Sequence, residues 1–190
     1  MLLLQPALAA CGGRSGDSAE ATTTTAEQTT STTVEPTTTT VEAVRLDVTA
    51  VQYLGLFNSQ LPLVAPEGID LRLDDIAQGV FGGPVYLGTT VLVFADTPAS
   101  SVTAIAVVVD LNIASGTPAK LISASAIGLT QEPAAVVEAF LETVVPELSV
   151  VSQGRKVYPL GELDLILTVS GQVLTFTYVR AGGDLPPFLN

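Results

Sequence analysis

The stretch Leu163-Asp164-Leu165-Ile166-Leu167-Thr168-Val169-Ser170-Gly171-Gln172-Val173-Leu174-Thr175-Phe176-Thr177-Tyr178 decides the fold. Two runs rich in aliphatic, β-branched and aromatic residues flank a turn-forming Ser-Gly pair, which is the signature of a β-hairpin. With Ser170-Gly171 as a two-residue turn, Val169 faces Gln172. The register then sets Leu167 against Leu174, Leu165 against Phe176 and Leu163 against Tyr178. Those three pairs are apolar, while Glu162, Asp164 and Thr168 point to the other face. A slip of one residue would turn the apolar set outward, so the burial of one face fixes the register.

The same composition recurs upstream. Residues 85 to 95 and 101 to 111 are dense in Val, Ile and Thr and are separated by Asp96-Thr97-Pro98-Ala99-Ser100, which predicts a second hairpin at the centre of the sheet. Between and before these strands the period changes to that of a helix. Thr49 and Gln52 form a capping box, with Val48 and Tyr53 as a staple. Val51, Leu54, Phe57 (or Asn58) and Leu61 follow at helical spacing, and Pro62 stops a helix over about 49 to 61. Ile69, Leu71 and Leu73 alternate as a short strand. Asp74 to Val80 is expected as a helical turn before the break at Gly82-Gly83-Pro84.

Thr117-Pro118 opens a short helix that ends at Gly128. A second start at Thr130 to Pro133 leads into a stripe of Val137, Phe140, Leu141, Val144 and Leu148, with the helix ending near Val145 because of Pro146. The resulting class is α+β, an antiparallel sheet of two main hairpins with helices packed on one face. Val85-Tyr86-Leu87-Gly88 and Val157-Tyr158-Pro159-Leu160-Gly161 hint at a duplicated helix-plus-hairpin unit.

The chain has 190 residues, 19 acidic and 7 basic side chains, no His, and a formal net charge of -12. A scatter of cations in so acidic a chain provides no face to displace counterions from phosphates, so nucleic-acid binding is excluded. An anionic membrane surface is excluded for the same reason. Without His and with a single Cys, neither a Ser-His-Asp triad nor a Cys-His pair nor a zinc site of the usual ligands can be assembled. No cofactor is expected, no catalytic residue is assigned, and a single Cys forms no internal disulfide.

The first eleven residues, Met1-Leu2-Leu3-Leu4-Gln5-Pro6-Ala7-Leu8-Ala9-Ala10-Cys11, are apolar and end in small residues directly before that Cys. Leu8-Ala9-Ala10-Cys11 resembles the lipobox of bacterial lipoproteins. The resemblance covers these eleven residues only. It implies that a diacylglycerol is attached to the Cys11 thiol, that a signal peptidase cuts before it, and that acyl chains hold the protein to the extracytoplasmic side of the cell membrane. No Lys or Arg precedes Cys11, unlike the positively charged opening of such signals, and we read this as a true translation start upstream of Met1.

Residues 12 to 44 carry four-threonine blocks at Thr22 to Thr25 and Thr37 to Thr40, five acids against Arg14, and almost no large apolar side chain. Such a segment is expected to be a disordered tether with a span of about 30 Å or more. Threonine-rich tracts of this kind are also open to O-glycosylation. Residues 45 to 190 are then a single globular domain.

Within that domain few residues suggest chemistry. Asp70, Asp74 and Asp75 lack the spacing, turn glycine and terminal Glu of a calcium loop and are expected as a solvated acidic edge. Glu162 and Asp164 share a strand face, but the face is solvent-directed and aromatic residues are sparse, which argues against a glycosidase pair. Gly79 to Pro84 lacks the Lys-Ser/Thr ending of a phosphate loop and is expected as a turn. Arg155-Lys156 is the only adjacent basic pair. Tyr53 and Phe57 are expected in the core, and the tail from Gly182-Gly183 to Phe188 either packs back or frays.

The leading expectation is therefore a lipid-anchored, non-enzymatic binding or interaction module of the cell envelope, with a protein or a hydrophobic ligand as its partner. The alternative is a carrier holding a lipid or other hydrophobic ligand in an apolar cavity, and a third reading is a carboxylate or serine enzyme. What separates the first two is whether the stripes Val51 to Leu61 and Val137 to Leu148 both close on the sheet or leave a gap.

Overall fold

The final hairpin forms, but its turn is Gly171-Gln172 rather than Ser170-Gly171. In the computed structural model, which describes residues 45–114, 117–148 and 152–189, Ser170 pairs with Val173. Gly171 takes φ 60°, the positive value that primed hairpin turns require at their first central position. The pairs become Val169 with Leu174, Leu167 with Phe176, Leu165 with Tyr178 and Leu163 with Arg180. Every apolar side chain keeps its expected face because the shift moves each partner by two positions, and strand side chains alternate with period two. The expected lipobox ending at Cys11 and the tether 12–44 lie outside the described residues.

Seven antiparallel strands form one open sheet in the order β1-β2-β3-β4-β7-β6-β5. They are β1 Asp74–Ala77, β2 Val80–Tyr86, β3 Thr89–Phe94, β4 Ala104–Asp110, β5 Gly154–Leu160, β6 Leu163–Ser170 and β7 Val173–Arg180. The class is α+β, with two three-stranded meanders, β2-β3-β4 and β5-β6-β7, joined through β4 and β7. The two short sequence matches are not equivalent in place: Val85 is fully buried, whereas Val157 is 49% exposed.

Three helices cover one face. Helix α1, Ala50–Val64, begins at the Thr49/Gln52 capping box, in which Thr49 N–H donates to Gln52 Oε1 at 2.9 Å and Gln52 N–H to Thr49 Oγ1 at 3.2 Å. It runs past Pro62, contrary to expectation. Proline removes only one late hydrogen bond, and Ala65 N–H still closes the last turn on Leu61 C=O at 2.8 Å. Helix α2 is Pro118–Ser125, and α3 is Pro133–Ala139. α3 continues into a π-helical turn at Phe140–Val144 and a 3-10 turn at Val145–Glu147.

The segment 69 to 95 departs most from its sequence reading. Ile69 to Leu73 is not a strand; Asn58 clamps it instead, donating to Leu71 C=O at 3.0 Å and accepting from Leu71 N–H at 2.8 Å. Asp74 to Val80 is strand β1, a Gln78-Gly79 turn and the start of β2, not a helical turn. Gly82-Gly83-Pro84 lies inside β2, and Leu87-Gly88 divides what reads as one strand over 85 to 95 into β2 and β3. Gly82 is required there because a Cβ would collide with the Val91 carbonyl of β3.

The core between helices and sheet is continuous from Leu46 to Tyr178. Tyr178 Oη donates to Ile122 C=O at 2.8 Å, while the Tyr53 hydroxyl is buried without a partner. Burial raises both phenols well above their ordinary value. On the other sheet face Val80, Leu92, Phe94, Ala104, Ile166 and Val179 gather under Leu185. The C-terminal tail packs back there. Gly182 N–H donates to Asp164 Oδ2 at 2.8 Å, and the rings of Phe94 and Phe188 lie 6.3 Å apart.

Candidate interaction surface

The acidic residues of the sequence do not converge. Asp70, ahead of β1, and Asp74 and Asp75 on it are exposed, and no group of three or more His, Cys, Asp or Glu among the described residues is placed to hold a metal ion. Glu162 is not on a strand. It sits in the Gly161-Glu162 turn, where it accepts from Thr130 Oγ1 and from Gln131 N–H at 3.4 Å. Those two bonds, in that order, hold its carboxyl below the ordinary value. Asp164 is held by the tail through Gly182. The expected carboxylate pair is thus divided between two structural tasks.

Arg155 and Lys156 are divided as well. Lys156 makes an ion pair with Glu147 and lies 4.9 Å over the Tyr158 ring, while the Tyr158 hydroxyl donates to Glu147 Oε2 at 2.7 Å. The hydrogen bonds from Lys156 and Tyr158 lower the Glu147 carboxyl, and Glu147 raises the Lys156 ammonium. Burial first, then the neighbouring carboxylate, raises the Tyr158 phenol. Both lowered carboxylates, Glu147 and Glu162, contribute stability that is present above their ordinary range and is lost as pH falls through their folded values. The melting temperature is therefore expected to drop on acidification below that range. In the double variant Glu147→Gln, Glu162→Gln the drop over the same window should be smaller; a Tm series against pH reads it.

The helix layer presents an apolar feature at the surface. Tyr53, Phe57 and Leu61 are at most 1% exposed and Val136, Phe140 and Val144 at most 4%, so these residues form the inner faces. The expected stripe put Val137 and Leu141 inside, whereas Leu141 is 51% exposed. Burial falls instead on Val136, Phe140 and Val144, four residues apart, and the turn Phe140–Val144 is π-helical, with a bond from Val145 N–H to Phe140 C=O. A helical period admits either stripe, so spacing alone does not choose between them.

The displaced apolar residues line a groove. Ile127, Pro133, Ala134, Val137 and Leu141, with Gln60, Glu138 and Glu142, border a shallow, open hollow of about 620 Å³ between α1 and α3. Gly128 keeps the junction tight, because a Cβ there would stand 2.5 Å from Leu56 Cδ1. Leu56 and Leu63 on α1 are 43% and 75% exposed and extend the apolar surface beside Gln60. A second hollow of about 530 Å³ lies between the tail and the β2–β3 end, lined by Val80, Phe94, Val179 and Phe188 among others.

No protein-family model, curated protein or solved structure matches the chain. Among the described residues, no helix is long and apolar enough to cross a membrane.

Proposed function

We propose that this protein is a lipid-anchored, non-enzymatic binding module of the bacterial cell envelope, held by acyl chains on Cys11, spaced from the membrane by residues 12–44, and engaging a protein partner through the α1/α3 groove. The observation that carries the reading is the division of the helix layer into a sealed inner face and an apolar outer groove. A carrier would hold its ligand between helices and sheet. There Tyr53, Phe57 and Leu61 share one core cluster with Val136, Phe140 and Val144, which favours a module over a carrier.

The polar side chains support a binding role over chemistry. Glu147, Glu162 and Asp164 each hold a structural contact, so none is free to pair as acid and base. The lipid anchor rests on Leu8-Ala9-Ala10-Cys11 alone.

Native mass spectrometry of the full chain from its bacterial membrane, followed by organic extraction, tests the reading. The expected result is covalent lipid on Cys11 with no other bound apolar molecule, and a lipid-free apo mass for Cys11→Ser. A stoichiometric extractable ligand retained by Cys11→Ser would establish the carrier instead, and an unmodified Cys11 would remove the anchor.

A further inference from the structure

The groove is asymmetric in charge. Its floor is apolar, and its acids are Glu138 and Glu142, four residues apart on consecutive turns and both exposed. Neither makes an ion pair among the described residues, and Ala50–Val64 and Pro133–Glu147 contain no Lys or Arg. Two unneutralised carboxylates beside an apolar floor favour cations on the partner and oppose anions. A second copy is a poor occupant: in a two-fold pair the same patch faces itself, bringing Glu138 and Glu142 against their counterparts on two chains of charge -12. An anionic bilayer is repelled for the same reason.

We propose that the groove takes a cationic amphipathic helix of a partner protein, a step that rests on the binding-module reading above. Ile127, Val137 and Leu141 receive its apolar face, and Glu138 and Glu142 receive Lys or Arg at one edge. The floor between Pro133 and Glu142 runs about 15 Å at 1.5 Å per residue, which accommodates anchors at i, i+3 or i+4, and i+7 of an incoming helix.

The test uses the full chain and a labelled Leu/Lys amphipathic peptide of about 18 residues, long enough to be helical when bound, with its Leu/Glu counterpart as comparison, read by fluorescence anisotropy. The Lys peptide should bind about ten-fold or more tightly than the Glu peptide, and less so at high salt. Glu138→Lys with Glu142→Lys should invert the preference. Asp74→Lys with Asp75→Lys changes the net charge equally at the β1 edge and should alter affinity by no more than about three-fold. An equal loss from both pairs would overturn the proposal, because the general field of an acidic protein would then explain binding.

Leu141→Asp separates the two levels of the argument. It should weaken the Lys peptide about ten-fold or more, with thermal unfolding confirming that this exposed substitution leaves the fold intact. If both peptides bind equally and both are lost in Leu141→Asp, the groove remains a docking site and the cationic partner is wrong. If Leu141→Asp changes neither, the cationic partner and the groove reading fail together.

Discussion

Gly82→Ala is expected to cost about 4 kcal/mol or more, a large share of the stability of a domain of this size. Two independent penalties combine at this position. Gly82 has φ 140°, a backbone conformation that side chains with a Cβ rarely adopt, and its added methyl would strike the Val91 carbonyl and Cα trace of the adjacent strand. Neither obstacle is the end of a flexible side chain, so relief requires β2 and β3 to separate. The neighbouring Gly83 offers the control: no atom lies within 4 Å of its built Cβ, and its φ is not in the positive region. Gly83→Ala should stay within about 1 kcal/mol of the parent. Urea denaturation of the two variants checks both expectations, and equal effects would refute the close approach of β3.

Phe140→Ala is the second large effect, a loss of about 3 to 5 kcal/mol. Its ring is fully buried and meets Phe176 edge-on, with centroids 6.4 Å apart and planes at 70°. Truncation leaves a cavity between the π-helical turn and β7, where neither element can collapse inward freely. Leu141 is the next residue and half exposed, so Leu141→Ala should cost no more than about 0.5 kcal/mol. A helix of regular 3.6-residue period carrying the stripe Val137, Phe140, Leu141 and Val144 would make both substitutions costly. Comparable losses in a denaturant titration would therefore contradict the outward placement of Leu141.

These contrasts indicate where the sequence was readable. The faces of β6 and β7 follow from alternation alone, because period two leaves no intermediate orientation, and burial of one face makes the pattern strong. Their turn was displaced by one residue because Ser-Gly and Gly-Gln both suit a two-residue loop; what distinguishes them is the positive φ demanded at the first central position, which Gly171 meets. The α1 start was legible for a similar reason, since Thr49 and Gln52 satisfy each other's backbone partners locally.

Long-range causes were less visible. Gly82-Gly83-Pro84 has the composition of a turn, yet the need for glycine at 82 comes from Val91, a residue on another strand. Leu87-Gly88 interrupts a run whose local composition reads as continuous strand. The groove was hidden because the buried residues of this helix are Val136, Phe140 and Val144, which turns Leu141 outward. Glu162 and Asp164 are near in sequence, but Thr130 and Gly182, both distant in sequence or brought in by the tail, claim them separately.

The most direct measurement places a photo-crosslinking amino acid at Leu141 in the full chain, in living cells that make the protein, with a matched substitution at Leu87 as reference. Leu87 is 62% exposed in the β2–β3 turn and does not line the groove. The expected result is a discrete protein adduct at Leu141, absent at Leu87 and lost when Glu138 and Glu142 are both changed to Lys. Equal labelling at the two positions, or label at Leu141 passing only into extractable lipid, would contradict a protein-docking groove.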